Sequence, residues 1–354
     1  PVHFSDELGA WVVTRYDDVV AVLHDTDRFS SRRPTGPERV DGQLQQAMAT
    51  LSQEPEMAEA FRALAEQRDL AAVLLNADPP EHRRQRKQVN RAFRPSRIKA
   101  MRPTIDDVAV RLLDGFADDG EVEFVSRFAV GLPLTIIAYA LGVGDGDLDT
   151  FKRWSVDVSL PIGNPSPTVD ETRRYLVSNG EFNDFFRVML AERRLDPTDD
   201  IISDVATAEL NGEQLSSAEM LTMLRQFPVA GNDTTTKLLT NIAHALATEP
   251  GLQEQVRADR SLVEPLVEEA LRFEAPVGGL FRQAKVDAEI GGVPIAAGDH
   301  VWILYASANR DEARFAEPDR FDPGRDNLGD HVAFGHGEHF CIGAGLARAE
   351  AQIG

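Results

Sequence analysis

The single cysteine of this 354-residue chain, Cys341, and the glycine-rich segment around it constrain the fold more than any other feature. The segment reads Phe-Gly-His-Gly-Glu-His-Phe-Cys-Ile-Gly from Phe334 to Gly343, and a predicted helix follows from Ala344. A thiol at a helix N-terminus lies near free backbone N–H groups and the positive end of the helix dipole, and both favour the thiolate. A lone cysteine is otherwise most often a small buried hydrophobic residue. The glycines argue against that interpretation, because they permit positive φ angles and a close approach of the backbone to a ligand.

This segment resembles the haem-binding loop of the cytochrome P450 monooxygenases, whose pattern is Phe-Gly-x-Gly-x-His-x-Cys-x-Gly, and every fixed position of the pattern is present. The resemblance implies haem b as the cofactor, with Cys341 as the axial ligand of the haem iron. It also implies that Phe334, Gly335, His339 and Gly343 contact the cofactor. The fold it implies is the cytochrome P450 fold, which is mainly α with a small β-sheet region.

The resemblance implies a reaction as well. Members of the soluble bacterial type are haem-thiolate monooxygenases that insert one oxygen atom from O2 into a small apolar organic substrate, by hydroxylation or epoxidation. A ferredoxin and its ferredoxin reductase supply the electrons, and we expect such a donor for this chain. By the same analogy, substrate contacts are expected around residues 29–75, around residues 159–169 and from Val277 to Leu280.

The longest predicted helix starts at the Ser-Ser-Ala-Glu capping box that opens with Ser216, and it ends before Pro250. Pro228 lies in its interior and predicts a local distortion there. Asp233 and Thr234 follow in a segment similar to the oxygen-activation motif of the family, an acid followed by an alcohol. A carboxylate and a hydroxyl can deliver protons for the cleavage of dioxygen, so both residues are predicted to be catalytic. The alternative is that the hydroxyls of this stretch only bond their own backbone.

Four basic residues are predicted to bind the two haem propionates, because partly buried carboxylates need charge-assisted donors. His82 and Arg86 are four residues apart and share one face of a predicted helix. The family uses a histidine and an arginine at this spacing for the propionates. Arg282 and His339 match its other propionate donors.

A structural ion cluster is predicted from Glu269 and Arg272, which lie three residues apart on a predicted helix. The resemblance adds Arg320, which stands where the second arginine of the family pattern falls. We expect the three residues to hold the loop beneath the haem rather than to take part in chemistry.

The segment from His82 to Lys99 contains eight Lys or Arg residues and no acidic residue, in a chain whose net charge is −21. A run of charge is usually only a solvated helix face. Here Arg83, Lys87, Arg91 and Arg94 fall along one stripe, which we call the basic stripe. We predict that it docks an acidic electron donor such as a ferredoxin.

Composition limits the remaining possibilities. The acidic balance, 37 basic against 58 acidic residues, argues against binding of nucleic acid or of an acidic membrane surface. One cysteine precludes an intramolecular disulfide, and no apolar run reaches the length of a membrane span. We therefore expect a cytoplasmic monomer. The ends of the chain interrupt the family pattern, so residues 1–354 are interpreted as one cytochrome P450 domain truncated at both termini.

Two alternatives remain at this stage. A haem protein of the same fold could act as a peroxygenase, as an isomerase or only as a haem-binding protein. More remotely, His331, His336, His339 and Cys341 lie close enough in sequence to be ligands of a zinc hydrolase.

Overall fold

Helices make up most of the structure, a computed structural model that describes residues 1–36, 42–62, 72–163 and 167–354. Parts of the segments predicted to contact substrate, residues 37–41, 63–71 and 164–166, lie outside the described residues. The α-helices, numbered α1 to α13 in chain order, are Tyr16–His24, Gly42–Leu51, Glu81–Val89, Pro95–Asp114, Gly131–Leu141, Leu148–Gly163, Val169–Leu195, Ile201–Ala206, Ser217–Thr248, Leu252–Ala258, Val263–Phe273, Tyr305–Ala308 and Ala344–Ile353.

The strands are short and form small sheets. They are, as β1 to β9, Val2–Ser5, Ala10–Val13, Phe29–Ser30, Glu209–Leu210, Glu213–Gln214, Leu280–Ala284, Ala288–Ile290, Val293–Ile295 and His300–Ile303. The largest sheet has the order β1-β2-β9-β6-β3, in which β2 and β9 are parallel and the other neighbours are antiparallel. The prediction of a mainly α fold with a small β-sheet region is confirmed.

The β7–β8 hairpin joins two short strands through a Gly-Gly turn. Gly291 and Gly292 have φ angles of +56° and +82°. Two successive residues with positive φ give the turn whose twist matches that of paired strands, and glycine adopts this conformation without strain.

The longest helix, α9, confirms the predicted start and end. The Ser216 hydroxyl accepts a hydrogen bond from the Glu219 N–H at 3.2 Å, and the Glu219 carboxylate accepts one from the Ser216 N–H at 2.8 Å. The helix runs for 32 residues to Thr248, just ahead of Pro250. It is unbroken at Pro228, so the predicted distortion does not interrupt the helix.

The largest apolar core lies among α5 to α9, where packed aromatic rings such as Phe151, Phe182 and Phe186 are buried. A second core lies between the five-stranded sheet and α1. Across the four described ranges, no helix is both long and apolar enough to cross a membrane. The first core fixes α3 and α9, and further apolar clusters pack α9 against α11 and α13; most of the predicted site residues lie on or beside these helices.

Candidate active site

The loop before Cys341 is shaped by two glycines in the left-handed region. Gly335 and Gly337 have φ angles of +69° and +68°. A Cβ atom at Gly337 would lie 2.9 Å from the Leu23 carbonyl oxygen at the end of α1, so only glycine fits at this contact. The Cys341 N–H donates to the Phe334 carbonyl at 2.9 Å, which closes the loop and presents the thiol at the start of α13.

The Cys341 thiol is both accessible to solvent and surrounded by protein atoms. Its side chain is exposed, yet burial is the main cause that raises its pKa above the ordinary value. The exposure of the side chain and the effect of burial on its pKa agree when the sulfur faces an internal recess rather than the outer surface. The N–H groups of Gly343 and Ala344 bond the sulfur and lower the pKa, as the sequence analysis expects, and the positive charge of Arg86 adds to their effect. Burial outweighs them in the protein alone.

Two histidines that are predicted to bind the haem propionates lie against each other beside the loop. The rings of His82, on α3, and His339 are stacked with centroids 4.0 Å apart. His82 Nδ1 and His339 Nε2 are buried without a hydrogen-bond partner in the protein. Burial, followed by the charges of His82, Arg282 and Arg86, lowers the pKa of His339 to about 3. The structure therefore brings together the four predicted propionate donors.

The two arginines of this group are partly or fully desolvated. Burial lowers the pKa of Arg86, and the nearby Cys341 partly offsets the effect. Arg282, on β6, is only 3% exposed. Its Nη1 donates to the Phe281 carbonyl at 2.8 Å, and its guanidinium also bonds the Tyr305 hydroxyl, a contact that the sequence analysis missed. No sequence signal distinguishes Tyr305 from other aromatic residues near a strand end.

A haem group fits these residues. The nearest carboxylates do not hydrogen-bond the two buried imidazole nitrogens. Asp78 accepts from Ser30 and Ser31, and Glu338 Oε1 accepts from Arg83 Nε at 2.8 Å. Glu338 Oε2 lies 4.0 Å from His82 Nδ1, beyond hydrogen-bond distance. The unbonded imidazole nitrogens are therefore free to donate to an anionic ligand. A Cβ atom placed on Gly343 would meet only the Cys341 sulfur, at 3.9 Å, which leaves room for a flat group beside the thiol.

The predicted catalytic pair lies on α9. The Asp233 side chain is 69% exposed and its Oδ2 lies 3.7 Å from Lys237 Nζ. The Thr234 hydroxyl donates to the Ala230 carbonyl at 2.7 Å, which is the bonding to its own backbone expected in the alternative interpretation of this stretch. The predicted part of both residues in oxygen activation stays a prediction.

The predicted ion cluster is present, with one correction. Glu269 and Arg272 are fully buried and form a bidentate pair, with Nε–Oε2 and Nη2–Oε1 distances of 2.7 and 2.8 Å. The third member is Arg325, whose Nε donates to Glu269 Oε1 at 3.1 Å, and not Arg320. The side chain of Arg320 is 61% exposed and pairs with Glu317.

The backbone explains the correction. The Arg320 carbonyl oxygen accepts from Arg325 Nη2 at 2.5 Å and from Arg272 Nη2 at 3.2 Å, so residue 320 is close to the cluster although its guanidinium points away. Arg325 follows a Pro-Gly turn that brings it back over Glu269. The sequence contains that turn signal, but the direction of each arginine depends on the folded turn.

The basic stripe is partly neutralised within the chain. Arg83 pairs with Glu338 of the cysteine loop, and Arg91 and Arg94 pair with Asp204, at 3.3 and 3.5 Å. Lys87 is exposed and has no ion pair among the residues that the structure describes. Over the described residues, the stripe therefore retains an exposed, unpaired positive charge chiefly at Lys87.

The zinc alternative finds no support. His331 bonds Glu268, His336 Nδ1 lies 2.6 Å from His24 Nε2, and His339 stacks on His82. Within the described parts of the chain, no three His, Cys, Asp or Glu side chains converge as metal ligands.

Comparison with known proteins places the chain in one family. A sequence model of the family named Cytochrome P450 matches residues 167–354, more than half of the chain. Cytochrome P450 107B1 of Saccharopolyspora erythraea is 37% identical over 98% of this chain and 80% of its own length. Erythromycin C-12 hydroxylase of the same organism is 37% identical over 99% of this chain and 81% of its own length.

A solved structure agrees. Cytochrome P450 CYP109E1 of Bacillus megaterium, crystallised in complex with testosterone, matches 100% of this chain and 85% of its own length, with a TM-score of 0.83 and 32% identity. The predicted cytochrome P450 fold is therefore confirmed. This chain belongs to the cytochrome P450 family, in its bacterial type, and is a haem-dependent monooxygenase.

Proposed function

We propose that this chain is a haem-thiolate monooxygenase in which Cys341 supplies the thiolate ligand of haem b. The observation that carries the proposal is the group of four basic side chains, His82, Arg86, Arg282 and His339, gathered around the lone cysteine with two of their nitrogens buried and unbonded. The reaction proposed is insertion of one oxygen atom from O2 into an apolar organic substrate.

Each part of the site has its own task. Haem, when bound, supplies the reductive activation of dioxygen. Cys341 holds the cofactor from its loop, and the basic donors bind and orient its two carboxylates through charge-assisted hydrogen bonds. The neutral imidazole of His339 can still donate through Nε2, since one ring nitrogen of a neutral histidine carries a proton.

Asp233 and Thr234 are proposed to hold and move protons. Asp233 is exposed enough to exchange protons with bulk water. Because the Thr234 hydroxyl donates its own hydrogen to Ala230, its oxygen is left to accept a hydrogen bond from a water molecule. The pair would thus deliver protons from solvent toward the cofactor.

The substrate is proposed to be a lipophilic molecule of moderate size. Val277 and Leu280 are partly buried beside the sheet core and offer an apolar wall near Arg282. The relatives support this class, since one is named as a hydroxylase of erythromycin and another was crystallised with testosterone.

The electron donor is proposed to be an acidic ferredoxin that docks on the basic stripe. Arg83 links this stripe to Glu338, three residues before Cys341, so the docking surface would lie directly over the cysteine loop. Opposite charge on the two proteins would steer their association.

The reduced carbon-monoxide difference spectrum of the haem-loaded protein tests the proposal. A red-shifted Soret band is expected, and Cys341→Ala should abolish it, because the thiolate ligand is lost. Normal haem binding with an unshifted band in the unmodified protein would contradict the proposal. Substrate oxidation with peroxide alone, at the rate reached with a ferredoxin system, would instead favour a peroxygenase.

A further inference from the structure

A partly buried carboxylate, that of Glu268 on α11, joins the cysteine loop to the helix that follows it. Its two oxygens accept from Arg348, at 2.7 Å from Nε and 2.8 Å from Nη2, and Oε2 also lies 3.1 Å from His331 Nε2. Burial alone would raise the pKa of Glu268, but the hydrogen bonds from Arg348 and His331 outweigh it and lower the pKa to about 2. Glu268 is therefore ionised at physiological pH.

The two partners of Glu268 flank the first residue of the loop. His331 Nδ1 accepts from the Ala333 N–H at 3.2 Å, so Nε2 carries the proton that faces Glu268. The guanidinium carbon of Arg348 lies 4.6 Å from the centroid of the Phe334 ring, a cation–π contact. The His331 ring centroid lies 6.0 Å from that of Phe334. Glu268 thus holds His331 and Arg348, two side chains that contact the Phe334 ring, in place.

The same contacts place two opposite charges at one end of the loop. The charge of Arg348 lies close to Cys341, because the ring of Phe334 contacts the Arg348 guanidinium and the Phe334 carbonyl oxygen accepts from the Cys341 N–H at 2.9 Å. Glu268 is the only acidic side chain that forms an ion pair with Arg348 among the described residues. The electrostatic potential at the Cys341 sulfur therefore depends on how fully the Glu268 carboxylate neutralises the Arg348 guanidinium.

We propose that Glu268 is a positioning residue that sets the redox properties of the cysteine-ligated iron: it holds Arg348 against Phe334 and neutralises its charge. This inference rests on the proposed ligation of haem by Cys341. Neither Glu268 nor Arg348 touches the substrate or the cofactor in this role. Their effect is electrostatic and acts through the loop.

The test is the ferric–ferrous midpoint potential of haem-loaded Glu268→Gln, Arg348→Gln and the double variant, measured by spectroelectrochemical titration. Glu268→Gln leaves Arg348 uncompensated, which favours the electron-richer ferrous state and raises the potential. Arg348→Gln leaves a negative charge and lowers the potential. Each shift is expected to approach a tenfold change in the reduction equilibrium, about 59 mV for one electron. The double variant should return close to the original potential.

A purely structural role predicts a different result, because loosening the loop from either side would move the potential in the same direction. Shifts of equal sign, or no shift, overturn the inference. Arg127→Gln removes an exposed ion pair with Asp119 and should leave the potential unchanged.

Two conservative variants keep the test valid if a glutamine variant fails to bind haem. Glu268→Asp and Arg348→Lys retain both charges, so both should keep the original potential, and a large shift in either overturns the inference. The carbon-monoxide spectrum separates the two proposals. An unshifted Soret band in the unmodified protein refutes ligation by Cys341. A shifted band, together with midpoint-potential changes of the same sign in Glu268→Gln and Arg348→Gln, refutes only the role of Glu268.

Discussion

His339, in the cysteine loop, and the buried Glu350 both have pKa values displaced toward their neutral forms. Burial lowers the pKa of His339 to about 3, and it raises the pKa of Glu350, on α13, to about 8. Glu350 is 3% exposed and its Oε2 has no hydrogen-bond partner in the protein. Both groups are thus uncharged at neutral pH because burial disfavours the charged form, and at His339 the neighbouring positive charges add to this effect.

The buried carboxyl of Glu350 predicts a pH-dependent stability. Its pKa is about 8 in the folded chain and 4.5 when unperturbed, so the folded state binds more protons between these pH values. The stabilisation is complete below the unperturbed pKa and is lost as pH rises toward the folded pKa, by at most about 1.4 kcal/mol per pH unit. Glu350→Gln should remove this slope.

Urea unfolding at a series of pH values in this range measures the slope. Glu254→Gln, which changes an exposed carboxylate, is the matched control and should keep the slope of the unmodified protein. A Glu350→Gln protein with an undiminished slope would show that another group is responsible.

The corrected ion cluster predicts unequal effects of two neighbouring arginines. Arg325→Gln removes a hydrogen bond to the fully buried Glu269 and should lower the free energy of unfolding by about 2–3 kcal/mol. Arg320→Gln removes an exposed ion pair and should cost less than about 1 kcal/mol. Thermal or urea denaturation of both variants compares them, and equal losses would speak against the assignment of Arg325.

At the scale of elements, α9 shows what local sequence can specify. Its capping box and the proline after its last turn define both ends, and both ends agree with the structure. The interior Pro228 is tolerated without a break, because the helix is buried on several sides and packs against α5 and α11. Tertiary packing therefore outweighs a residue whose intrinsic helix cost is about 3 kcal/mol.

The cap at the start of α9 predicts a small, position-specific loss of stability. Ser216→Ala removes the side-chain acceptor for the Glu219 N–H and should lower the free energy of unfolding by about 1 kcal/mol. Ser217→Ala, one residue later in the same exposed turn, is the control and should be nearly neutral. Similar losses in the two variants, measured by urea unfolding, would contradict a capping role for Ser216.

At the scale of the whole molecule, charge is unevenly distributed. The chain carries a net charge of −21, yet the segment from His82 to Lys99, which begins on α3 beside the cysteine loop, contains eight basic residues and no acidic residue. Intramolecular pairs with Asp204 and Glu338 neutralise part of this basic segment. The remaining positive charge would give the proposed acidic donor a preferred direction of approach.

A charge reversal at Lys87 tests whether an acidic electron donor docks on the basic stripe. Lys87→Glu should slow reduction by a ferredoxin several-fold at low ionic strength, and added salt should narrow the difference, because screening weakens steering. The ultraviolet–visible spectrum of the haem should not change. Lys285→Glu reverses an exposed lysine between β6 and β7 and is the control. Stopped-flow reduction at equal rates in the two variants would remove the docking proposal.

Much of the fold and site could be predicted from the sequence where the signal is local. The glycine pattern around Cys341, the capping box at Ser216 and the Gly-Gly hairpin each depend on neighbouring residues. The choice of Arg325 over Arg320, the bond from Arg282 to Tyr305 and the Glu268–Arg348 pair depend on contacts between distant segments. Such contacts are fixed by packing, and no periodicity in the chain encodes them.

The contact of Gly337 with the end of α1 has a consequence for protein engineering. Any side chain at position 337 would collide with the Leu23 carbonyl and push the thiol-bearing segment outward, so libraries that vary this position should yield mostly colourless clones. Position 336 carries an exposed side chain, and among the described residues its replacement removes only the contact with His24, so this position should accept many residues. Diversity introduced there would leave the backbone at Gly337 unchanged.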